Sequence, residues 1–359
     1  MKPIPTESTT PAAESPRVGP ADAPRPARLS VSVIIPVHNG EEHLPACLAR
    51  VRELDPPAGE CIVIDDGSGD SSLGIARASG CRVLSAGGRR GPAFARNLGA
   101  REARGDLLLF IDADVLAPRD LIARVREEFE HNPLLDAVIG SYDDAPGQTD
   151  FLSQYRNLLH CYVHQHSREE ASTFWCGCGA IRREVFLRLG GFLETYLRPS
   201  VEDIELGWRL RRTGGRIRLR KDLQVKHMKR WSFSQILRTD FADRAVPWTM
   251  LILRRRWMPA ELNLRWRYRF SVVLWASALA AAGFALFDPG AIRFAAAGAG
   301  AAVLSNAGFY RFLASRRGWI FALCAVPLHA LHFLCSGAGF AAGLMLHVLR
   351  TPPAREVRR

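Results

Sequence analysis

The chain has 359 residues and a formal net charge of +12, from 48 Lys and Arg against 36 Asp and Glu. That length supports a full α/β core with residues to spare, and no recognised DNA- or RNA-binding motif accompanies the basic excess, so no nucleic-acid partner is expected. The 8 cysteines are scattered, and Cys176 and Cys178 have no second Cys/His pair at zinc spacing, which excludes a disulfide framework and a zinc module.

Residues 1–28 are rich in Pro, Ala, Ser and Thr without an apolar signal core, and they read as a disordered tail. Order is expected from Leu29. Val31 to Ile35 is a β-rich apolar run closed by Pro36 and followed by His38-Asn39. Glu41 to Leu54 has a helical period, and Cys61 to Ile64 is a second buried strand ending in Asp65-Asp66-Gly67-Ser68. After a short helix and a weak strand at Cys81 to Leu84, Ala93 to Arg104 is helical, and Asp106 to Ile111 runs straight into Asp112-Ala113-Asp114. Helical patterns follow at Pro118–Glu130 and Phe151–His164, a strand after Trp175, a helix from Glu202-Asp203, and short strands at Arg216–Leu219 and Leu223–His227.

Strands alternating with helices predict an α/β domain with a mostly parallel, Rossmann-like sheet over residues 29–231. Ligands of such sheets sit at the carboxyl ends of the strands. Three loops leaving those ends carry His38, Asp65 with Asp66, and Asp112 with Asp114.

Beyond the domain, residues 232–269 mix Trp, Phe and Leu with Arg. They read as a basic amphipathic segment lying on a membrane, the plain alternative being a helix packed on the domain. Three charge-free stretches follow, Phe270–Phe287, Phe294–Tyr310 and Trp319–Leu349. About three membrane spans are expected over residues 270–349, the last overlong and so either tilted, broken near Pro327 or Gly337 and Gly339, or a re-entrant hairpin, before a basic tail at 350–359. Arg254, Arg255 and Arg256 ahead of the first span lead to the expectation of a multi-pass inner-membrane protein with its α/β domain on the cytoplasmic face.

The acidic residues suggest chemistry. Asp112 and Asp114, one residue apart at a strand end, can share Mg²⁺ or Mn²⁺ whose other ligands are diphosphate oxygens. Asp65 and Asp66 can accept hydrogen bonds from a base or ribose, or cap the next turn. Glu202 and Asp203 open a helix, where capping is the plain role. A glycosyl transfer with inversion also needs one carboxylate to take a hydroxyl proton, and Asp203 is the candidate, beside Glu202.

Val31–Asn39, Ile64–Ser68, Gly91–Asn97, Phe110–Asp114 and Glu202–Glu205, in that order, resemble the motif set of family 2 glycosyltransferases of the GT-A fold. The resemblance implies an inverting transfer from a UDP- or GDP-sugar with Mg²⁺ or Mn²⁺. It places Pro36 and Asp66 at the base, with Asp65 supporting their loop and His38 in the same donor site. It implies that Arg96 shapes the nucleotide pocket or braces the acidic loops. Asp112 and Asp114 would meet sugar, ribose and metal-diphosphate, Asp203 would be the base, and His227 would complete the metal site or be structural. The Gln-x-x-Arg-Trp motif of processive synthases is incomplete, since Arg230-Trp231 lacks its Gln. A lipid-linked or glycolipid acceptor, or another one at the membrane, is therefore expected ahead of a polysaccharide synthase subunit. A nucleotidyltransferase would need a Gly-rich basic loop after the first strand, and Pro36–Asn39 is not one. A non-catalytic membrane scaffold is disfavoured by the intact Asp112, Asp114 and Asp203.

Overall fold

The computed structural model describes residues 28–258 and 264–350; residues 1–27 of the Pro-rich tail and the basic tail at 351–359 lie outside them. The strands, in chain order, are β1 (Val31–Val37), β2 (Glu60–Asp65), β3 (Arg82–Ser85), β4 (Leu107–Ile111), β5 (Val115–Leu116), β6 (Ala137–Tyr142), β7 (Glu170–Ala171), β8 (Cys178–Arg182) and β9 (Ile217–His227). The helices of the first half are α1 (Leu44–Arg52), α2 (Ser72–Ala78), α3 (Pro92–Glu102), α4 (Leu121–His131), α5 (Phe151–Gln165), α6 (Arg183–Arg188) and α7 (Glu202–Arg212). Then come α8 (Phe233–Arg238), a π-helix (Thr239–Ala245), α9 (Val246–Arg255), α10 (Trp266–Phe284), α11 (Ile292–Ser305), α12 (Ala307–Arg317) and α13 (Trp319–Arg350).

One mixed sheet of order β3-β2-β1-β4-β8-β6-β9-β5 organises the domain, with β7 paired to β9. β3, β2, β1 and β4 are mutually parallel, β8 runs against them, and β6 and β9 return to their direction. β4 is apolar throughout, and β1 is so apart from Ser32, because both sheet faces are covered, as continuous rather than alternating hydrophobicity requires. Gly99 of α3 lets that helix lie flush on the sheet: a Cβ there would stand 2.7 Å from both Ile34 and Ile64.

Two differences from the sequence reading concern the sheet. The two short strands expected at 216–227 are one strand, β9, whose pairing with β6 slips between Ile139 and Ser141. A bulge breaks the alternation there, so a period-2 pattern shows as two pieces. β6 itself, Ala-Val-Ile-Gly-Ser-Tyr, lies where no strand is expected, because Gly140 and Ser141 interrupt its short apolar run.

The C-terminal helices depart further from expectation. The stretch expected as a second span is broken at Asn306. Its first part, α11, has 14 residues; at 1.5 Å rise it is about 21 Å long, short of a bilayer's hydrocarbon core of about 30 Å. Its second part, α12, buries Phe309, Tyr310 and Leu313 against Tyr155, Leu158 and Tyr162 of α5. α13 is continuous through Pro327, with no break or re-entrant turn. Among the described residues it is the one helix long and apolar enough to cross a membrane; a multi-pass arrangement is not supported. The segment after residue 231 is also more buried than expected. Trp248, Leu251 and Ile252 of α9 pack on Val201 and Trp208 rather than facing outward. Residues 259–263 of that segment lie outside the described residues.

α13 in turn lies along α9. Cβ atoms built on Gly339 and Gly343 would come within 2.4 Å of Ala245 and 2.7 Å of Thr249. Small residues at this i, i+4 spacing permit such close backbone approach. Large apolar side chains remain exposed on the other faces, among them Trp266, Phe270, Phe294, Trp319 and Ile320.

Candidate active site

A cavity of about 870 Å³ opens at the carboxyl ends of β1 and β4 and extends beneath the π-helix and α9. Pro36, His38, Asp66, Arg96, Asp112, Asp114, Glu202, Asp203 and His227 all line it. Asp65 does not. Its Oδ1 accepts the Ser68 N–H at 3.1 Å and shapes the turn after β2.

The loops at one end are stitched by backbone donors. The Asp66 carboxylate accepts N–H bonds from Arg90 at 2.7 Å and Gly91 at 2.9 Å, and its carbonyl meets His38 Nδ1 at 3.0 Å. Gly91 has φ of 92° and its Cβ would clash with the Leu197 backbone at 2.9 Å, so the start of α3 here requires glycine.

Arg96 of α3 braces the centre. Its guanidinium meets Asp112 Oδ1 at 2.7 Å and Glu202 Oε1 at 3.1 Å, and the other Glu202 oxygen accepts the Ser200 N–H at 2.8 Å. Burial opposes that charge, but Asp112 and Glu202 favour it and hold the guanidinium firmly protonated. Glu202 thus has both oxygens engaged, and Asp203 is distinguished from it. Among the described residues Asp203 has no cationic partner within 4 Å, and its Oδ1 accepts only the N–H of Ile204, at 2.8 Å. Burial and the adjacent Glu202 carboxylate push it up to about 7.

Asp114 and His227 meet through the short β5–β9 pairing, in which Val115 stands opposite His227. Asp114 Oδ2 lies 3.6 Å from His227 Nε2, and the Tyr142 ring stacks on the imidazole at 4.3 Å with planes 12° apart. Burial raises Asp114, but His227 and Lys229 outweigh it and hold the carboxyl down at about 2. A carboxylate and an imidazole converging in this way suit a divalent cation. No group of three or more metal-ligating side chains occurs among the described residues. Such a cation would therefore draw its remaining ligands from phosphate oxygens and water, as Mg²⁺ sites on nucleotides do. Asp112, one of whose oxygens Arg96 holds, is 32% exposed at its side chain and open to the cavity.

Several cavity residues escaped the sequence reading. Arg156, Gln235, Arg238 and Arg244 also line the cavity, beside Trp231. Arg156 pairs with Asp240 at 2.7 Å, and His332 of α13 meets the same carboxylate at 2.8 Å. The arginines of residues 232–256 were legible only as a basic belt; nothing in their spacing showed which ones turn inward.

A cleft at the ends of parallel strands, lined by a carboxylate–imidazole pair and by a carboxyl without a cationic partner, is the arrangement expected of a GT-A fold. Residues 32–190 match the family described as Glycosyl transferase family 2. These residues form a family 2 glycosyltransferase domain. The chain is 27% identical over 262 residues to an uncharacterized glycosyltransferase of Bacillus subtilis, covering 56% of this chain and 65% of that protein. It is 30% identical over 164 residues to the undecaprenyl-phosphate 4-deoxy-4-formamido-L-arabinose transferase of Pseudomonas paraeruginosa, covering 43% and 48%. These matches span less than two thirds of the relatives' own lengths. The structure of a mannosyltransferase from Pyrobaculum calidifontis, in complex with GDP-Man and Mn²⁺, superposes with a TM-score of 0.56. That likeness covers 91% of this chain and 89% of the other at 23% identity, and it is a likeness of fold.

Proposed function

We propose that the chain is an inverting glycosyltransferase that moves a sugar from a UDP- or GDP-sugar to a lipid-linked or otherwise membrane-associated acceptor. The observation that carries the reading is Asp203: an unpaired carboxyl held up to about 7, facing the same cavity as Asp112 and the Asp114–His227 pair. Transfer needs the acceptor hydroxyl oxygen to bond to the anomeric carbon while the bond from that carbon to the diphosphate breaks. Asp203 takes the hydroxyl proton, and a pKa near 7 leaves it basic enough to do so. Mg²⁺ or Mn²⁺, held by Asp114 and His227 with Asp112 beside them, would neutralise charge on the departing diphosphate. The Asp66 loop with Pro36 and His38 would carry the base, and Arg96 keeps Asp112 and Glu202 in place.

A membrane location is supported by the exposed apolar side chains on α10, α11 and α13 and by the arginines next to them. The test is a panel of radiolabelled nucleotide sugars incubated with membranes containing the protein, followed by lipid extraction. Label should enter the lipid fraction from one donor, require Mn²⁺ or Mg²⁺, and disappear in Asp203→Asn. No metal-dependent transfer or donor hydrolysis across a broad panel would overturn the reading.

A further inference from the structure

The cavity has an end that the donor does not explain. Arg244 lines it from the π-helix, and no ion pair or hydrogen bond of its side chain is present among the described residues. The Asp240 carboxylate is ion-paired with Arg156 at 2.7 Å and His332 at 2.8 Å, and Asp243 stands 4.0 Å from Arg238. Burial and the Arg156 charge act against the Arg244 cation, while Asp240 and Asp203 favour it only at a distance. A guanidinium left beside another guanidinium in a partly buried cavity is costly until an anion joins it.

A second observation says what else that anion carries. A shallow apolar groove, open to the outside, lies next door, between Leu237 and Phe241 on one side and Leu334, Cys335 and Ala338 of α13 on the other. Arg238 lines both, so the groove continues the catalytic cavity toward the exposed apolar side chains of α13. The shared wall contains the π-helix, a costly irregularity found mostly at functional sites.

We propose that this end is the acceptor subsite for a phosphorylated lipid: Arg244, with Arg238 at the junction, binds its phosphate, and the groove between Leu237, Phe241 and α13 holds its hydrocarbon chain. A sugar attached to that phosphate then presents its hydroxyl to Asp203. The inference rests on the glycosyltransferase reading and adds the acceptor's chemical class to it. Guanidinium suits phosphate because its planar N–H groups form charge-assisted, bidentate hydrogen bonds.

The test is calorimetric binding to the detergent-solubilised full chain of farnesyl phosphate, farnesol, inorganic phosphate, and UDP with Mn²⁺. Farnesyl phosphate should bind at least ten-fold more tightly than farnesol or inorganic phosphate. Arg244→Gln and the groove-filling Ala338→Trp should each weaken farnesyl phosphate ten-fold or more while UDP affinity stays within two-fold, and Arg244→Lys should recover part of the loss. If Arg244→Gln does not fold, the Lys variant and Ala338→Trp carry the test. Inorganic phosphate binding as tightly as farnesyl phosphate would remove the lipid from the proposal. Equal losses of UDP and farnesyl phosphate in Arg244→Gln would assign the arginine to the donor. Unchanged farnesyl phosphate affinity in both variants would overturn the subsite, with UDP binding still supporting the donor site. A wild-type chain that fails to bind UDP with Mn²⁺ would refute the reading beneath it.

Discussion

Replacing Asp203 by Asn separates catalysis from stability, and the structure gives both magnitudes. A base that titrates near 7 is about one-eleventh ionised at pH 6 and ten-elevenths at pH 8, so kcat/KM should rise about ten-fold between them. The Asn variant has no such limb and should lose about 10²- to 10⁴-fold in rate, the usual contribution of a positioned base. Stability moves the other way. The folded pKa stands above the ordinary value of 3.8, so the folded chain binds more protons than the unfolded one between those two values. Stability contributed by the protonated carboxyl is complete below pH 3.8 and falls as pH rises to about 7. Above pH 7 the wild type bears the full cost of the charge, and the Asp203→Asn variant bears none of it. A shift of about three units is worth at most about 4 kcal/mol, and solvent in the open cavity reduces the expected gain to about 2 kcal/mol. Initial rates from pH 5.5 to 8.5 and thermal melts at pH 5 and 8 measure both effects. A flat rate profile, or an Asp203→Asn variant that retains a tenth of the rate and melts lower at pH 8, would refute the argument.

Arg96→Met should cost about 3–5 kcal/mol in thermal or denaturant unfolding, because it strands the Asp112 and Glu202 carboxylates without their cation; a loss below about 1 kcal/mol would contradict the brace. Asp114→Ala and His227→Ala should each weaken Mn²⁺-dependent UDP binding about ten-fold or more, measured by calorimetry with and without chelator. Affinity unchanged by either would take that residue out of the metal site. Gly207→Ala should lower the melting temperature, since its Cβ would lie 2.3 Å from the Phe174 backbone nitrogen, a clash worth about 1–3 kcal/mol. Brominated lipids in anionic vesicles should quench Trp266 and Trp319, which are 63% and 62% exposed, and a Trp319→Phe change should diminish the quenching; none at all would argue against membrane contact.

The part of the cavity at the strand ends was legible in the sequence for a specific reason. Parallel strands buried on both faces appear as uninterrupted apolar runs, and the residues directly after them must emerge at one edge of the sheet. Val31–Val37, Glu60–Asp65 and Leu107–Ile111 are such strands, and His38, Asp66 and Asp112 follow them within one residue. The part lined by Arg244 and Trp248 was not legible. Arg244 and Trp248 belong to a helical run whose apolar and basic residues suit a membrane surface as well as a buried interface. Only α7 on one side and α13 on the other decide which face is covered.

The sequence by itself determined the sheet's parallel half, the order of the acidic loops and the family. Each depends on contacts within a few residues or on the alternation of strand and helix along the chain. The tertiary structure decided what depends on partners far apart in sequence. Arg96 occupies Glu202 across 106 residues and leaves Asp203 as the free carboxyl. His227 reaches Asp114 through β5–β9 pairing, and α12 buries on α5 instead of extending a span. Helical or apolar character is a local property of the chain. Which carboxylate stays unpaired, and which apolar face stays uncovered, depends on what the rest of the fold brings against it.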